Sequence, residues 1–387
     1  MPDVKKYDII IAGAGMSGLS LAWYLAKGGY KGKVLLTDKS FAPHNTKTWC
    51  FWTKDQPPFS EIIYRKWRKS YFSGLGFDSY LYMNEHCYYC IRENDFKEYV
   101  LSELRNHKNF TLLEESILDF SSNKSKAVLV TKDSHTYLAD YIFQSIFSPS
   151  EQISYSIKYP LIQHFLGYEI KTNSPKFDAE TFTIMDVDTS FKKGFAFMYV
   201  LPFRDNKALV EFTVFSPEPM KKKKYKKKIR KFLKKKLGLE KEDYKIIRKE
   251  YGEIPMNDQP AIPFYSSEKV INLGTMAGLT KPSTGYTFKR VQDFSKQLAE
   301  SLIQTGKPES SAPSKFRYRY YDLLLLHILA NSTEDSQRVF RDLFKNNSLD
   351  LLFDFLSEDT NFGQDLKVMS SVPYAPFLKA ISKNLIP

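Results

Sequence analysis

Glu211 lies in the stretch NKALVEFTVFS, residues 206 to 216, and is its only acid. On period-two alternation, Leu209, Glu211, Thr213 and Phe215 share one face of a strand. Ala208, Val210, Phe212 and Val214 share the other. Both faces are mainly apolar, so the strand is expected to be covered on both sides. A lone ionised carboxylate is costly to bury. Glu211 is therefore neutralised, paired with a base, or placed for chemistry. A carboxyl in an apolar strand is pushed toward its protonated form, which suits an acid that must hold its proton until it is used. If ionised, it would stabilise a neighbouring cation by charge instead. Residue types and spacing leave both roles open. The pocket around Glu211 is expected to take in Trp49, His164, Asp186, Phe197, Tyr199 and Phe212. The aromatic members could offer ring faces to a cation, or simply form core.

A second group of residues speaks of a cofactor. In YDIIIAGAGMSGLSLAWYLAKGGYKGKVLLTD, residues 7 to 12 read as a strand, and Gly13, Gly15 and Gly18 form G-x-G-x-x-G. A helix follows to Lys27, then a strand at residues 34 to 37, then Asp38, twenty residues after Gly18. In this context the glycines permit a tight turn, close approach of a pyrophosphate, and close packing of helix on strand. The helix start offers N–H groups to phosphate, and Asp38 would accept from a ribose. NAD and FAD both remain open on the motif alone. Far along the chain, KVINLG leads into TMAGLTKPSTGYTFKR, where Gly274, Gly278 and Gly285 would let backbone approach a flavin. Arg92, at the entry to a helix capped by Asn94 or Asp95, is a further candidate for the flavin side.

At these residues the chain resembles the flavin-dependent lycopene cyclases, particularly the bacterial lycopene β-cyclases. The likeness runs through the fingerprint, NTKTWCFW, IQHFLGYEI, FTIMDVD, YVLPFRDNKALVEFTVFS, GEIPM and AGLTKPSTGYTF. It implies an α/β FAD-binding fold of the glutathione-reductase and p-hydroxybenzoate-hydroxylase type. It implies cyclisation of the ψ-ends of lycopene to β-rings, with no net redox change but with FAD in reduced form and NAD(P)H as electron source. The essential acid of the family falls on Glu211. A second acid often follows it there, whereas this chain has Phe212, and Tyr168 stands where many relatives have Trp. Cyclisation needs a proton delivered to an alkene carbon, a carbocation, ring closure, and loss of a proton from a neighbouring carbon. An alternative is another FAD-dependent oxidoreductase of the same fold, an aromatic hydroxylase or a polyprenyl reductase. Hydroxylases usually carry Gly-Asp-Ala at the second flavin element, and Thr275 occupies the Asp position here. A carotenoid-binding scaffold without catalysis would need neither the flavin elements nor Glu211.

The elements that must position these residues divide the 387-residue chain. Residues 1–150 read as a discontinuous FAD-binding part with the Rossmann βαβ unit, and 151–250 as an inserted, β-rich substrate part. Residues 251–310 read as the second FAD-binding part, and 311–387 as helical. Residues 221–236, KKKKYKKKIRKFLKKK, hold twelve basic residues, and taking those from the net +13 leaves +1. Concentrated charge of this kind argues against a nucleic-acid surface spread over the fold. Tyr225, Ile229, Phe232, Leu233 and Leu237 fall at helical spacing among the lysines, the composition of a helix lying on anionic lipid. No apolar run approaches the ~20 residues needed to cross a bilayer. The expected location is the cytoplasmic face of a membrane, held peripherally. Cys50, Cys87 and Cys90 supply no disulfide framework, and the lone C-x-x-C with no further ligands is read as incidental, so no metal is expected.

Overall fold

The computed structural model describes residues 4–43, 46–146, 157–256, 265–310 and 314–384. The N-terminal βαβ unit forms as its pattern requires. Strands Ile9–Ala12 and Val34–Asp38 pair in parallel around helix Met16–Lys27. They belong to a six-stranded sheet with Phe110–Glu114 on one side and Tyr141–Gln144, Val270–Asn272 and Tyr265–Ser267 on the other. All but the last strand run parallel, and near-continuous runs such as IIIA and VLLT are buried on both faces. Helix Phe288–Thr305 packs beside Met16–Lys27 in one apolar cluster, so the first and third parts of the chain close on each other. A smaller sheet of Lys5–Lys6, Thr136–Ala139, Ala127–Thr131 and Ile117–Ser122 covers the opposite face through Leu129, Tyr137 and Ala139.

The second half is organised by a seven-stranded sheet. Its order is Tyr244–Met256, Leu161–Thr172, Lys207–Ser216, Phe195–Arg204, Thr181–Val187, Lys69–Gly74 and Phe77–Tyr82. The last two strands come from early in the chain. Strand Lys207–Ser216 lies inside this sheet and has apolar cover on both faces, as its alternation implies. On the front, helices Phe316–Asn331, Thr333–Asn346 and Leu349–Ser357 lay Leu326, Phe340, Phe344 and Phe353 against Phe72, Phe195 and Phe215. Ser332 and Ser348 start two of these helices by accepting from the backbone N–H groups of Asp335 and Leu351. Helices Phe362–Ser370 and Tyr374–Lys383 complete the helical C-terminal region.

Two local expectations are corrected. Helix Glu93–Arg105 is capped by Arg92, not by Asn94 or Asp95, because strand Cys87–Arg92 runs straight into it and Arg92 is the last extended residue. The lysine-rich run does form a helix, Lys222–Leu237, but its apolar stripe is not a lipid face. Tyr225, Ile229 and Leu233 are fully buried against Leu166, Val210, Phe212 and Val214 on the back of the large sheet. A half-buried sheet face is the stronger competitor for that stripe, since it removes apolar surface from water permanently. The lysines are left on the solvent side.

This packing has a measurable consequence. Ile229→Ala should lower the unfolding free energy by about 2–4 kcal/mol in urea titrations. Lys231→Gln, on the outer face of the same helix, should change it by no more than about 0.5 kcal/mol.

Candidate active site

The front of the large sheet is a grid of residues in register. One row runs Glu250, Gly167, Glu211 and Tyr199 across four neighbouring strands, each facing the next directly. The adjacent row on one side is Arg248, Glu169, Leu209 and Leu201. On the other side lie Gly252, Phe165, Thr213 and Phe197. Parity alone brings these side chains to one face. Gly167 makes the middle row possible. A Cβ there would stand 3.0 Å from Leu209 Cδ1 and 3.3 Å from Oε2 of Glu211, so any larger residue would crowd both side chains.

Above this grid is a cavity of ≈ 680 Å³ with mainly apolar walls. Phe197, Tyr199, Leu209, Glu211, Thr213 and Glu250 form its floor. The C-terminal helices contribute Leu325, Phe340, Leu352 and Phe377, and the nucleotide-side elements contribute Met16, Trp49, Thr275, Gly285 and Phe288. One continuous space therefore joins the glycine loops to the acid. Its size and lining are those of a small-molecule site.

Glu211 is 8% exposed. Thr213 Oγ1 donates to its Oε1 at 2.8 Å. Burial, and then the facing Glu250, push its carboxyl up to about 8. Burial also raises Glu250, while Arg248, whose Nη1 is 3.0 Å from Glu250 Oε1, pulls it back. Of the two acids Glu250 is the one with a direct cationic partner, so the proton stays on Glu211. Arg248 also pairs with Glu169 at 2.9 Å and donates to Thr48 Oγ1 at 2.7 Å. Glu169 receives Arg92 at 2.7 Å and Lys207 at 2.8 Å as well. Burial opposes its charge, yet Lys207, Arg248 and Arg92 together hold its carboxyl below the usual range. Beside Glu211, the hydroxyls of Tyr199 and Tyr286 both meet that of Tyr88, at 2.7 and 2.8 Å. Burial raises all three phenols, and Cys50 beside them is pushed up to about 12. They stay neutral donors and acceptors.

Among the expected pocket residues, Trp49, Phe197 and Tyr199 line the cavity with Glu211. Three others are corrected. His164 is fully buried on the back face, where Nε2 meets Ser216 Oγ at 2.7 Å and Nδ1 meets Tyr225 hydroxyl at 2.6 Å. Burial lowers its imidazole, so it remains neutral. Phe212, one residue from Glu211, points backward onto Tyr225 and Phe191. Asp186 also reaches the back, 3.4 Å from Lys236, because a bulge between Thr183 and Asp186 reverses the alternation after Ile184 and Met185. Arg92 joins the Glu169 cluster and stacks on Tyr64 at 3.6 Å, outside the cavity lining. Sequence reasoning missed Glu250, Gly167, Thr213, Tyr88 and Tyr286. The alternation that places Glu211 applies equally to Glu250, but only the pairing of strands shows that the two face one another.

The nucleotide elements fit a dinucleotide on their own geometry. A Cβ at Gly18 would fall 2.0 Å from Gly13 O, so helix and turn could not pack with any other residue. At Gly15 the same position is open space, the approach a pyrophosphate requires. Helix Met16–Lys27 has no side-chain cap and no acid in its first turn, which leaves its N-terminus for an anion. Asp38 ends the second strand as expected, and its Oδ2 accepts from Ala14 N at 2.6 Å. Gly274, Gly278 and Gly285 all have positive φ, and Gly274 packs against Ser17 of the first element. The loop between Gly278 and Gly285 is tied to the C-terminal helices by Lys281, which is 3.1 Å from Asp322 and 3.0 Å from Glu358. Among the described residues no group of His, Cys, Asp or Glu is arranged to hold a metal ion.

The model of the lycopene cyclase protein family matches residues 8–382. The chain belongs to the lycopene cyclase family. No curated protein matches the sequence. Solved structures match across nearly the whole chain. A geranylgeranyl bacteriochlorophyll reductase-like protein from Thermoplasma acidophilum superposes with a TM-score of 0.62 at 16% identity, over 98% of this chain and 100% of that one. The p-nitrophenol 4-monooxygenase PnpA from Pseudomonas putida gives 0.59 at 13% identity, over 96% and 97%. The flavin-dependent monooxygenase PieE, solved with FAD and substrate, gives 0.61 at 13%, over 99% and 72%. The fold of the chain is thus that of the p-hydroxybenzoate-hydroxylase type.

The raised carboxyl of Glu211 makes stability depend on pH. The unfolded group ionises near 4.5 and the folded one near 8. Its contribution is complete below the lower value and is lost as pH rises through the upper one, at about 1.4 kcal/mol per unit between them. Glu211→Gln should therefore be more stable than the natural protein at pH 7, by about 3 kcal/mol, and equal to it near pH 4. Urea unfolding of both proteins across this range measures the difference.

Proposed function

We propose that this protein cyclises the ψ-end groups of lycopene, or a related acyclic carotenoid, to β-rings. The observation that carries the reading is the buried Glu211 carboxyl, pushed up to about 8 by burial and the facing Glu250, on the floor of a mainly apolar cavity that also reaches the glycine loops. Family membership points to the same substrate. Alkenes are very weak bases, so the acid must be positioned, dry and reluctant to ionise. Leu209 and Phe197 exclude water around Glu211, and Thr213 fixes the orientation of its Oε1. Proton transfer from Glu211 to a terminal alkene carbon leaves a carbocation over the sheet. The ring of Tyr199 lines the same floor and can face that cation. Ring closure and loss of a proton from the neighbouring carbon then return the proton to the Glu211 carboxylate. The reaction is an isomerisation and consumes no oxidant.

The residues at Gly13, Gly15, Gly18, Asp38, Gly274, Gly278 and Gly285 are those that would hold FAD. In reduced, anionic form, with NAD(P)H as electron source, FAD would supply a second negative group beside the cation. We further place the protein on the cytoplasmic face of a membrane. The outward face of helix Lys222–Leu237 carries a dense lysine field, only partly offset where Lys228, Lys234 and Lys236 meet Asp188, Glu240 and Asp186. Such a field attracts anionic lipid at ~1 kcal/mol per basic residue near the surface. Since the apolar stripe is spent on the core, this attraction is electrostatic and reversible. Among the described residues no helix is long and apolar enough to cross a membrane.

Expression in cells that accumulate lycopene should convert the pigment to a cyclic carotene. Glu211→Gln should abolish conversion, by at least roughly a thousandfold, while flavin absorbance of the purified protein is kept. Consumption of NADPH and oxygen with lycopene untouched would overturn the reading in favour of an oxidoreductase. In sedimentation with vesicles, binding should need phosphatidylglycerol, weaken with added salt, and fall when outward lysines of the helix are changed to Gln.

A further inference from the structure

Glu250 is ion-paired with Arg248, but that pairing does not require it to face a second carboxyl. It is 3% exposed, lines the cavity floor, and faces Glu211 across Gly167. Two carboxyls sharing a dry site repel each other, and a fold selected only for stability gains nothing by aiming one at the other. Gly167 leaves room for that arrangement, since a Cβ there would crowd Oε2 of Glu211 at 3.3 Å. Arg248 holds Glu250 in place from its own strand at 3.0 Å, and is itself fixed by Glu169 and Thr48. We propose that Glu250, anchored by Arg248 and facing Glu211 across Gly167, is the second working carboxylate of this site and the fixed counter-charge for the cation formed when Glu211 gives up its proton. This deepens the cyclase reading and rests on it.

The surroundings of the pair allow one assignment of roles. Facing Glu250 are Arg248 on its own strand, Glu169 with its partners Arg92 and Lys207 on the next rows, Thr48, and Glu211. Facing Glu211 are Glu250, Arg248 and Thr213, with Cys50 and Tyr286 across the cavity. Thr213 donates to Oε1 of Glu211, which leaves Oε2, over Gly167, to carry the transferable proton. In the step itself the Oε2–H bond breaks and a C–H bond forms at the alkene. Glu211 becomes an anion and the hydrocarbon a cation, and Glu250 keeps its charge throughout. When the neighbouring carbon releases a proton, Glu211 takes it, so Glu250 neither donates nor accepts. Its negative charge acts before the reaction too, by keeping the proton on Glu211.

The test uses the full chain with Glu250→Gln, Glu250→Asp and Glu211→Gln. Infrared difference titration of the buried carboxyl, with Glu211→Gln as the blank, reads the ionisation of Glu211 without any carotenoid. In Glu250→Gln it should ionise at a pH lower by about one unit, because a repelling charge has gone. Glu250→Asp should restore the natural value in large part. With lycopene and reduced flavin, the alkaline fall of kcat should shift in the same direction. Away from that limb kcat should drop at least roughly tenfold, with little change in KM. An unmoved titration in Glu250→Gln that still binds flavin sinks the proposal, as does a shifted titration with unchanged kcat. Failure of the natural protein to cyclise any carotenoid sinks the functional reading instead, and the infrared result then stands as evidence on the pair alone.

Discussion

A protonated carboxyl kept out of water, one glycine away from an arginine-held carboxylate, is the constraint to which the remaining architecture answers. To stay protonated at neutral pH, Glu211 needs cover from above, and the C-terminal helices provide it. To stay aimed, it needs a strand that cannot slip, and that strand is pinned from behind by a helix whose stripe fills the gaps between Val210, Phe212 and Val214. The ionised neighbours need their own neutralisation, and the cluster of Arg92, Lys207 and Arg248 around Glu169 supplies it one row away. The Lys281 pairings fasten the same helical cover to the loop of the second nucleotide element. Cover, acid and cofactor loops are thus mechanically one assembly.

Much of this was legible in the residues and some was not, for reasons that can be named. The glycine fingerprint declares itself because its demands are local: a turn, a close approach and a helix start within a dozen residues. The burial of Glu211 was equally readable, since alternation needs only the strand itself. What alternation does not contain is the phase of one strand against another. His164 and Gly167 occupy the same strand, three residues apart and on opposite faces, and only pairing with Glu211 tells which face holds the cavity. Asp186 was lost to a bulge, a one-residue insertion in the pattern that no periodicity announces. Glu250 is joined to Glu211 through a strand distant from both in sequence, so their meeting is a fact of topology. The stripe on the lysine-rich helix was correctly seen and wrongly partnered, because sheet and lipid present the same apolar surface to a helix.

The placement of that helix has an effect on the molecule as a whole. Its inward residues carry its packing, so most of the lysines outside it, beyond Lys228, Lys234 and Lys236 with their acidic partners, take no part in the core. Nearly all of the excess positive charge is thereby gathered at one pole, on the side of the sheet opposite the cavity, while the remainder is close to electrically balanced. Such a body is a strong permanent dipole. Near any negatively charged boundary it experiences a torque as well as a pull, within roughly a Debye length of about 8 Å. It would therefore arrive oriented, rear pole first, before a single short-range contact is made.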